Sequence, residues 1–251
     1  RKNNQLSLLG TDELSIVNVN QFYGIEIEEF PSLVARVAMY LVDHQMNQLL
    51  SEEFGLYQAR IPLREPATIV NADALTTEWE SVVPKNELSY ILGNPPFVGS
   101  KTINKEQKEA FLKIFDNAKG AGNLDFVTAW YEKASKYIQG TRIKTAFVST
   151  NSICQGEQVE LLWKRLKEHY GVIIHFAHQT FKWTNDAPGV AAVYCIIVGF
   201  TTFDINKKYL FEYETVKSEP KEKEVENINA YLVSGEDVFI EKRRKPICSV
   251  P

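Results

Sequence analysis

Cysteine is scarce in this chain. Three residues, an odd number without a C-x-x-C pair, give neither a disulfide framework nor a zinc knuckle, and such usage fits a reducing cytosol. Long apolar runs are absent. The longest, VAAVYCIIVGF at 190–200, is too short to span a bilayer, so no membrane association is expected. The opening RKNNQLSLLG lacks the apolar core of a signal peptide. Excess positive charge is missing too. Lys and Arg total 28 against 32 Asp and Glu, a net charge of −4, which excludes a general polyanion binder by bulk charge. Any nucleic-acid contact needs a local basic patch or a partner domain. Glycine is absent early, with only Gly10 before Gly24, and there are no internal repeats. What remains is ordinary globular composition: 251 residues, 44% hydrophobic and 24% charged, enough for one large domain or two small ones.

Hydrophobic periodicity supplies the elements. VNVNQFYGIEI (17–27) reads as a buried strand. Pro31 opens the helix SLVARVAMYLVDHQMNQLL, at a position where a missing N–H costs little. ATIV (67–70) and LSYILG (88–93) are strands. NKEQKEAFLKIFDNA (104–118) is a helix in which Asn104 and Gln107 form a capping box, and NLDFVTAWYEKASKYI (123–138) is a second. IKTAFVSTNSI (143–153) is a strand running into a polar turn. EQVELLWKRLKEHY (157–170) is a helix, and VIIHFAHQTF (172–181) and VAAVYCIIVGF are strands joined by the turn-rich TNDAPG. The alternation predicts an α/β fold: a Rossmann-like, doubly wound, mostly parallel sheet with an antiparallel edge hairpin made by the last two strands. KSEPKEKEVEN (217–227) is charged and poor in apolar residues, as expected of a linker. The expected organisation is a core over 1–203, then a linker and the start of a following region over 204–251.

Open α/β sheets bind ligands at the carboxyl ends of their strands. Glu26, Asp73 and the tetrapeptide Asn94-Pro95-Pro96-Phe97 fall at predicted strand ends, in that order. Each has a plain reading alone: a carboxylate near a helix start, an Asx turn, an Asn-Pro turn. The tetrapeptide asks for more. Two residues without N–H donors end the strand and fix φ near about −65°, which frames the Asn94 amide beside an aromatic ring. A rigid set of acceptors next to a flat ring suits a planar group that carries an amine. His175 and His178 form H-x-x-H, but residues three apart on a strand point to opposite faces, so no metal is expected.

NPPF after an apolar strand resembles motif IV of the S-adenosylmethionine-dependent amino-methyltransferases, (D/N/S)PP(Y/F). GIEIEEF and NADAL resemble the carboxylate segments of that family that follow its second and third strands. NLDFVTAWYEKA resembles motif V, IKTAFVSTNSI motif VI and FKWTNDAPGVAAVYCIIVGF motif VIII. Longer stretches, GIEIEEFPSLVARVAMYLVDHQMN, NPPFVGSK, VSTNSICQGEQVELLW and IHFAHQTFKW, are similar to the MmeI-like group of restriction–modification enzymes. The resemblance covers most of residues 18–200. It implies S-adenosylmethionine as cofactor and adenine N6 in double-stranded DNA as the methyl acceptor. It further implies a nuclease domain or subunit in the same system, and a bacterial cytoplasmic location. It assigns Glu26 with Ile27 to the cofactor ribose, Asp73 with Ala74 to the cofactor adenine, and Asn94, Pro95, Pro96 and Phe97 to catalysis, Asn94 also bordering the cofactor. Phe97 is implied to stack on one face of the base, Phe181 or Trp183 on the other, with Lys101 near the DNA backbone.

One family feature is missing. The glycine-rich motif I is not found in residues 1–24, and KGAGN (119–123) stands after NPPF, in the wrong order. The first strand is therefore expected to lie outside this sequence, which starts without methionine and reads as a piece of a longer polypeptide. Two other readings stay open: an amino-methyltransferase acting on RNA or a protein glutamine, and a non-catalytic DNA-binding scaffold. Lys242, Arg243, Arg244 and Lys245 are candidate phosphate contacts or a solvated tail.

Overall fold

A computed structural model describes residues 17–54, 66–183 and 193–240. The chain forms two compact units, divided between Val83 and Pro84. In the first, strands β1 (Tyr23–Glu26) and β2 (Thr68–Asn71) pair in parallel, Glu26 opposite Asn71. Between them runs helix α1 (Glu29–Phe54). It starts two residues ahead of Pro31, whose absent N–H falls in the first turn where no helical bond is lost, and Glu29 sits favourably at the positive end of the helix dipole. Arg36 holds α1 to the strand by donating to the Ile69 carbonyl at 2.7 Å. The expected strand over 17–27 is shorter than its apolar run. Val19–Gln21 is a 3-10 turn, in which the Gln21 side chain accepts the Asn18 N–H at 2.7 Å and takes the backbone out of extension.

The second unit is a six-stranded mixed sheet. Its order is β3 (Tyr90–Gly93), β4 (Lys144–Thr150), β6 (Val193–Thr201), β5 (Ile173–Trp183), β7 (Lys208–Glu212), β8 (Lys221–Val225). β3 runs parallel to β4 and β5 parallel to β7. β6 is antiparallel to both β4 and β5; β5 and β6 form the expected hairpin, but it lies in the middle of the sheet rather than at its edge, because β4 and β7 pair with its outer sides. Its connecting TNDAPG lies outside the described residues. β7 and β8 extend the sheet beyond the hairpin. Thus 217–227, read as a linker, contributes an edge strand, with Val225 and Ile228 buried. Its KEKEV sequence has no apolar face; pairing with β7 and ion pairs from Lys221 to Glu214 and Lys223 to Glu212 hold it, and charges on an edge strand discourage further pairing.

The helices follow local rules. α2 (Lys105–Ile114) carries the expected capping box: Asn104 Oδ1 accepts from the Gln107 N–H at 2.8 Å, and Gln107 Oε1 from the Asn104 N–H at 3.3 Å. α3 is Thr128–Tyr137. α4 runs as three segments, Gly156–Gln158, a π turn over Val159–Lys164, and Arg165–Tyr170. It ends at Gly171, whose φ of 65° is open to glycine at little cost. Tyr131, Phe147, Trp163 and Phe200 meet in the core at ring separations of 5.2–5.9 Å, each side chain contributing about 1.5–3 kcal/mol by burial. The buried Glu132 joins α3 to α4, accepting from Arg165 Nε and Tyr170 Oη, both at 2.8 Å. Gly199 lets a ring cross the sheet: a Cβ there would lie 2.1 Å from Phe176.

His175 and His178 sit in different surroundings. The strand is irregular between Ile174 and Phe176 and again between His178 and Phe181. His178 Nδ1 bonds Tyr213 Oη at 2.8 Å and its ring stacks on Phe211. His175 Nε2 is buried with no hydrogen-bond partner. Burial, and secondly the charge of Lys144, hold its pKa at about 4 against an ordinary 6.5. The unfolded chain takes up that proton more readily, so the stability gained from neutral His175 is complete above pH 6.5 and drains away as pH falls toward about 4. Urea midpoints are expected to drop across that window, and to drop less steeply in His175→Gln. An equally steep drop in the variant assigns the acid sensitivity elsewhere.

Candidate functional site

In the first unit, both candidate carboxylates stand just where parallel strands end, because β1 and β2 run in register. Glu26 is half-buried. One of its oxygens accepts the Glu28 N–H at 3.0 Å. The turn that follows is tied down by Asn71, whose side-chain amide donates to the carbonyls of Glu26 at 3.0 Å and Ile27 at 2.9 Å. Ile27 is exposed beside it. Asp73 is half-buried and does form the Asx turn: Oδ1 accepts the Leu75 N–H at 2.8 Å. The Ala74 carbonyl is taken by Trp79 Nε1 at 2.8 Å. Each carboxylate therefore has one oxygen fixed by its own backbone and a second oxygen in a defined direction. Such a set suits hydroxyl and amine donors, the groups that a ribose and an adenine present.

In the second unit, β3 ends at Gly93, where a Cβ would stand 3.0 Å from the Phe147 ring of β4, so the corner depends on glycine. Asn94 is exposed and Pro95 buried. The Asn94 side chain makes no hydrogen bond to any described residue. All peptide bonds here are trans. Phe97 is half-buried, and the loop beyond it is pinned where the Phe126 N–H donates to the Val98 carbonyl at 2.9 Å. Lys101 is exposed. The diproline corner thus presents an amide outward from a fixed backbone.

The two candidate aromatics of β5 differ. Phe181 is half-buried, stacked on Tyr213 at 5.6 Å and touching Trp183 at 6.1 Å. Trp183 is 42% exposed. Lys242, Arg243, Arg244 and Lys245 lie outside the described residues. A cleft of about 500 Å³, lined by Lys85, Tyr90, Arg142 and Lys144 among others, lies where β3 and β4 begin, at the far end of these strands from Asn94. The corner is the candidate site on its chemistry, not on cavity size.

Sequence reasoning passed over Asp125. Its carboxylate accepts from the Ser100 N–H at 3.2 Å, Ser152 Oγ at 2.5 Å and Gln158 Nε2 at 3.1 Å. An aspartate ahead of an apolar helix reads as a cap, but here Thr128 Oγ1 donates to the backbone carbonyl of Asp125 at 2.7 Å and not to its carboxylate. The other partners lie 25–33 residues away in sequence, where no local pattern points.

The α/β sheet with an NPPF corner at a strand end is that of a class I methyltransferase. The sequence matches the family described as MmeI, DNA-methyltransferase domain, over residues 2–212, and the chain belongs to that family. It is 43% identical over 239 residues to DNA methyltransferase A of Bacillus subtilis (strain 168), covering 94% of this chain and 26% of that protein. The structure superposes on that of the type IIL restriction-modification enzyme MmeI in complex with DNA with a TM-score of 0.92 at 50% identity, covering 100% of this chain and 33% of that one. The chain thus spans about a quarter to a third of these relatives. Among the described residues no helix is long and apolar enough to cross a membrane.

The Asn71 tether is testable by itself. Asn71→Ala removes two hydrogen bonds and is expected to cost about 1 kcal/mol in chemical denaturation, with faster amide exchange at Glu28. Unchanged exchange at Glu28 means that Asn71 does not orient the Glu26 turn.

Proposed function

We propose that the protein to which this chain belongs transfers a methyl group from S-adenosylmethionine to adenine N6 at specific sites in duplex DNA, as part of a bacterial restriction–modification system with an associated nuclease and a cytoplasmic location. The observation that carries this reading is the exposed, unengaged Asn94 amide on a diproline corner in a chain of the MmeI DNA-methyltransferase family. The DNA in the structure of the 50% identical MmeI supports the choice of acceptor over RNA or protein.

An exocyclic adenine amine is a poor nucleophile, since its lone pair is delocalised into the ring. Asn94 Oδ1 and the Pro95 carbonyl accept its two N–H bonds, which draws the nitrogen toward tetrahedral geometry and frees the lone pair. This is electrostatic pre-organisation, and one such partner is worth about 3–4 kcal/mol of barrier. When bound, S-adenosylmethionine supplies a methyl group already activated by its sulfonium. No strong base is needed, because the amine becomes acidic only after it has been alkylated. Glu26, with Ile27 beside it, accepts from ribose hydroxyls, and Asp73, beside Ala74, accepts from an adenine amino group. The base leaves the duplex stack at a cost of a few kcal/mol. Phe97 covers one face. For the other face the reading favours Trp183, which is solvent-exposed, over Phe181, which is stacked on Tyr213. Lys101 approaches the backbone phosphates.

With the full-length protein, labelled methyl is expected in duplex DNA and to be recovered as N6-methyladenine after digestion to nucleosides. Incorporation only into RNA or protein, or none with DNA binding retained, overturns the assignment. Asn94→Ala is expected to lower kcat by at least about 100-fold while cofactor affinity is kept. Wild-type rates in that variant refute the role of Asn94.

A further inference from the structure

We infer that Asp125 is a positioning residue, an anionic clamp that fixes the loop carrying the amine-accepting corner. The inference rests on the proposed function for its catalytic consequence. The clamp itself rests on geometry within one unit. Three segments meet at one carboxylate: the loop after β3 through the Ser100 N–H, the turn after β4 through Ser152 Oγ, and the start of α4 through Gln158 Nε2. The bond to Gln158 is reciprocal, since Gln158 Oε1 accepts the Asp125 N–H at 3.1 Å. The next residue adds a fourth tie, Phe126 N–H to the Val98 carbonyl. Only an ionised carboxylate accepts from three such donors without offering one, and bonds to a charged acceptor are roughly twice as strong as neutral ones.

Everything between Pro96 and Ser100 is thereby bracketed. The prolines fix the backbone on one side, and Val98 and Ser100 are held on the other. Phe97 lies between, so its ring and the neighbouring Asn94 amide are held where the strand places them. A backbone held at one end only would leave both free to drift. A displacement of about 1 Å at a reacting centre costs about 100-fold in rate, so the clamp acts on turnover rather than on cofactor affinity.

Asp125→Asn keeps the shape and sets an amide N–H₂ against donors. In the full-length protein its kcat for DNA methylation is expected to fall about 10- to 100-fold, with the cofactor dissociation constant within about twofold of wild type. Amide hydrogen exchange at Ser100 is expected to accelerate. Adding Gln158→Glu returns an acceptor to face the new amide, and the double variant is expected to regain most of the lost rate. Ser152→Ala, a milder change, is expected to move both readouts in the same direction to a lesser degree, and keeps the test open should Asp125→Asn fail to fold. Unchanged kcat, unchanged Ser100 exchange, no recovery with Gln158→Glu, or a parallel loss of cofactor binding each overturns the clamp. Should the wild-type enzyme methylate no adenine, the proposed function falls, and Ser100 exchange alone decides the clamp.

Discussion

The arrangement in the second unit follows from one constraint: β3 and β4 are parallel, with Gly93 opposite Phe147. Parallel neighbours end on the same side of the sheet. The Asn94 corner and the Thr150–Ser152 turn therefore leave the sheet beside each other, and a single carboxylate between them can hold both. An antiparallel pairing would have sent the turn to the other end and left the corner with prolines alone. The absence of a side chain at Gly93 belongs to the same constraint, since the Phe147 ring fills that space.

Side-chain hydrogen bonding sets the residues that tie segments together apart from Asn94, the residue that on the proposed reading meets a ligand. Glu132 is fully buried, with Oε1 bonded to Arg165 and Tyr170 and Oε2 left without a partner; removing a partner of such a buried charge costs about 3–5 kcal/mol. Asp125 likewise spends its acceptors on protein donors. Asn94 does the opposite. Its amide is exposed and unengaged, while the backbone around it is stiffened by proline. On the proposed reading its partner is external, and the stiffness lowers the entropy lost when that partner arrives.

The helices and central strands were legible because periodicity and caps are local. Asn104 and Gln107 are three residues apart and state their own geometry. β4 to β6 carry apolar runs that read as strands without knowledge of their neighbours. β8 was not legible: KEKEV has the composition of a solvated linker, and only a partner on β7 makes it a strand. The first strand was overread, since Asn18 and Gln21 close a turn inside an apolar stretch. Among the candidate site residues, Glu26, Asp73 and Asn94 could be named because each lies at or just past the end of a strand. Asp125 could not, because its meaning lies in Ser100, Ser152 and Gln158, and sequence records order rather than proximity. The same limit kept Phe181 and Trp183 equivalent until Tyr213, contributed from beyond β7, was seen to occupy a face of Phe181.

On the proposed reading the two tasks of a methyltransferase fall on different units. Glu26 and Asp73, the carboxylates for the cofactor, are oriented by hydrogen bonds from Glu28 and Leu75, inside the first unit. Asn94 and the loop through Phe97, which serve the acceptor amine, are oriented by Asp125 and Phe126, inside the second. On that reading, changes in the first act on affinity for the cofactor, and changes in the second act on the rate of transfer. Hydrogen-bonded backbone and proline, rather than bulk charge or a deep apolar cavity, give each side its precision.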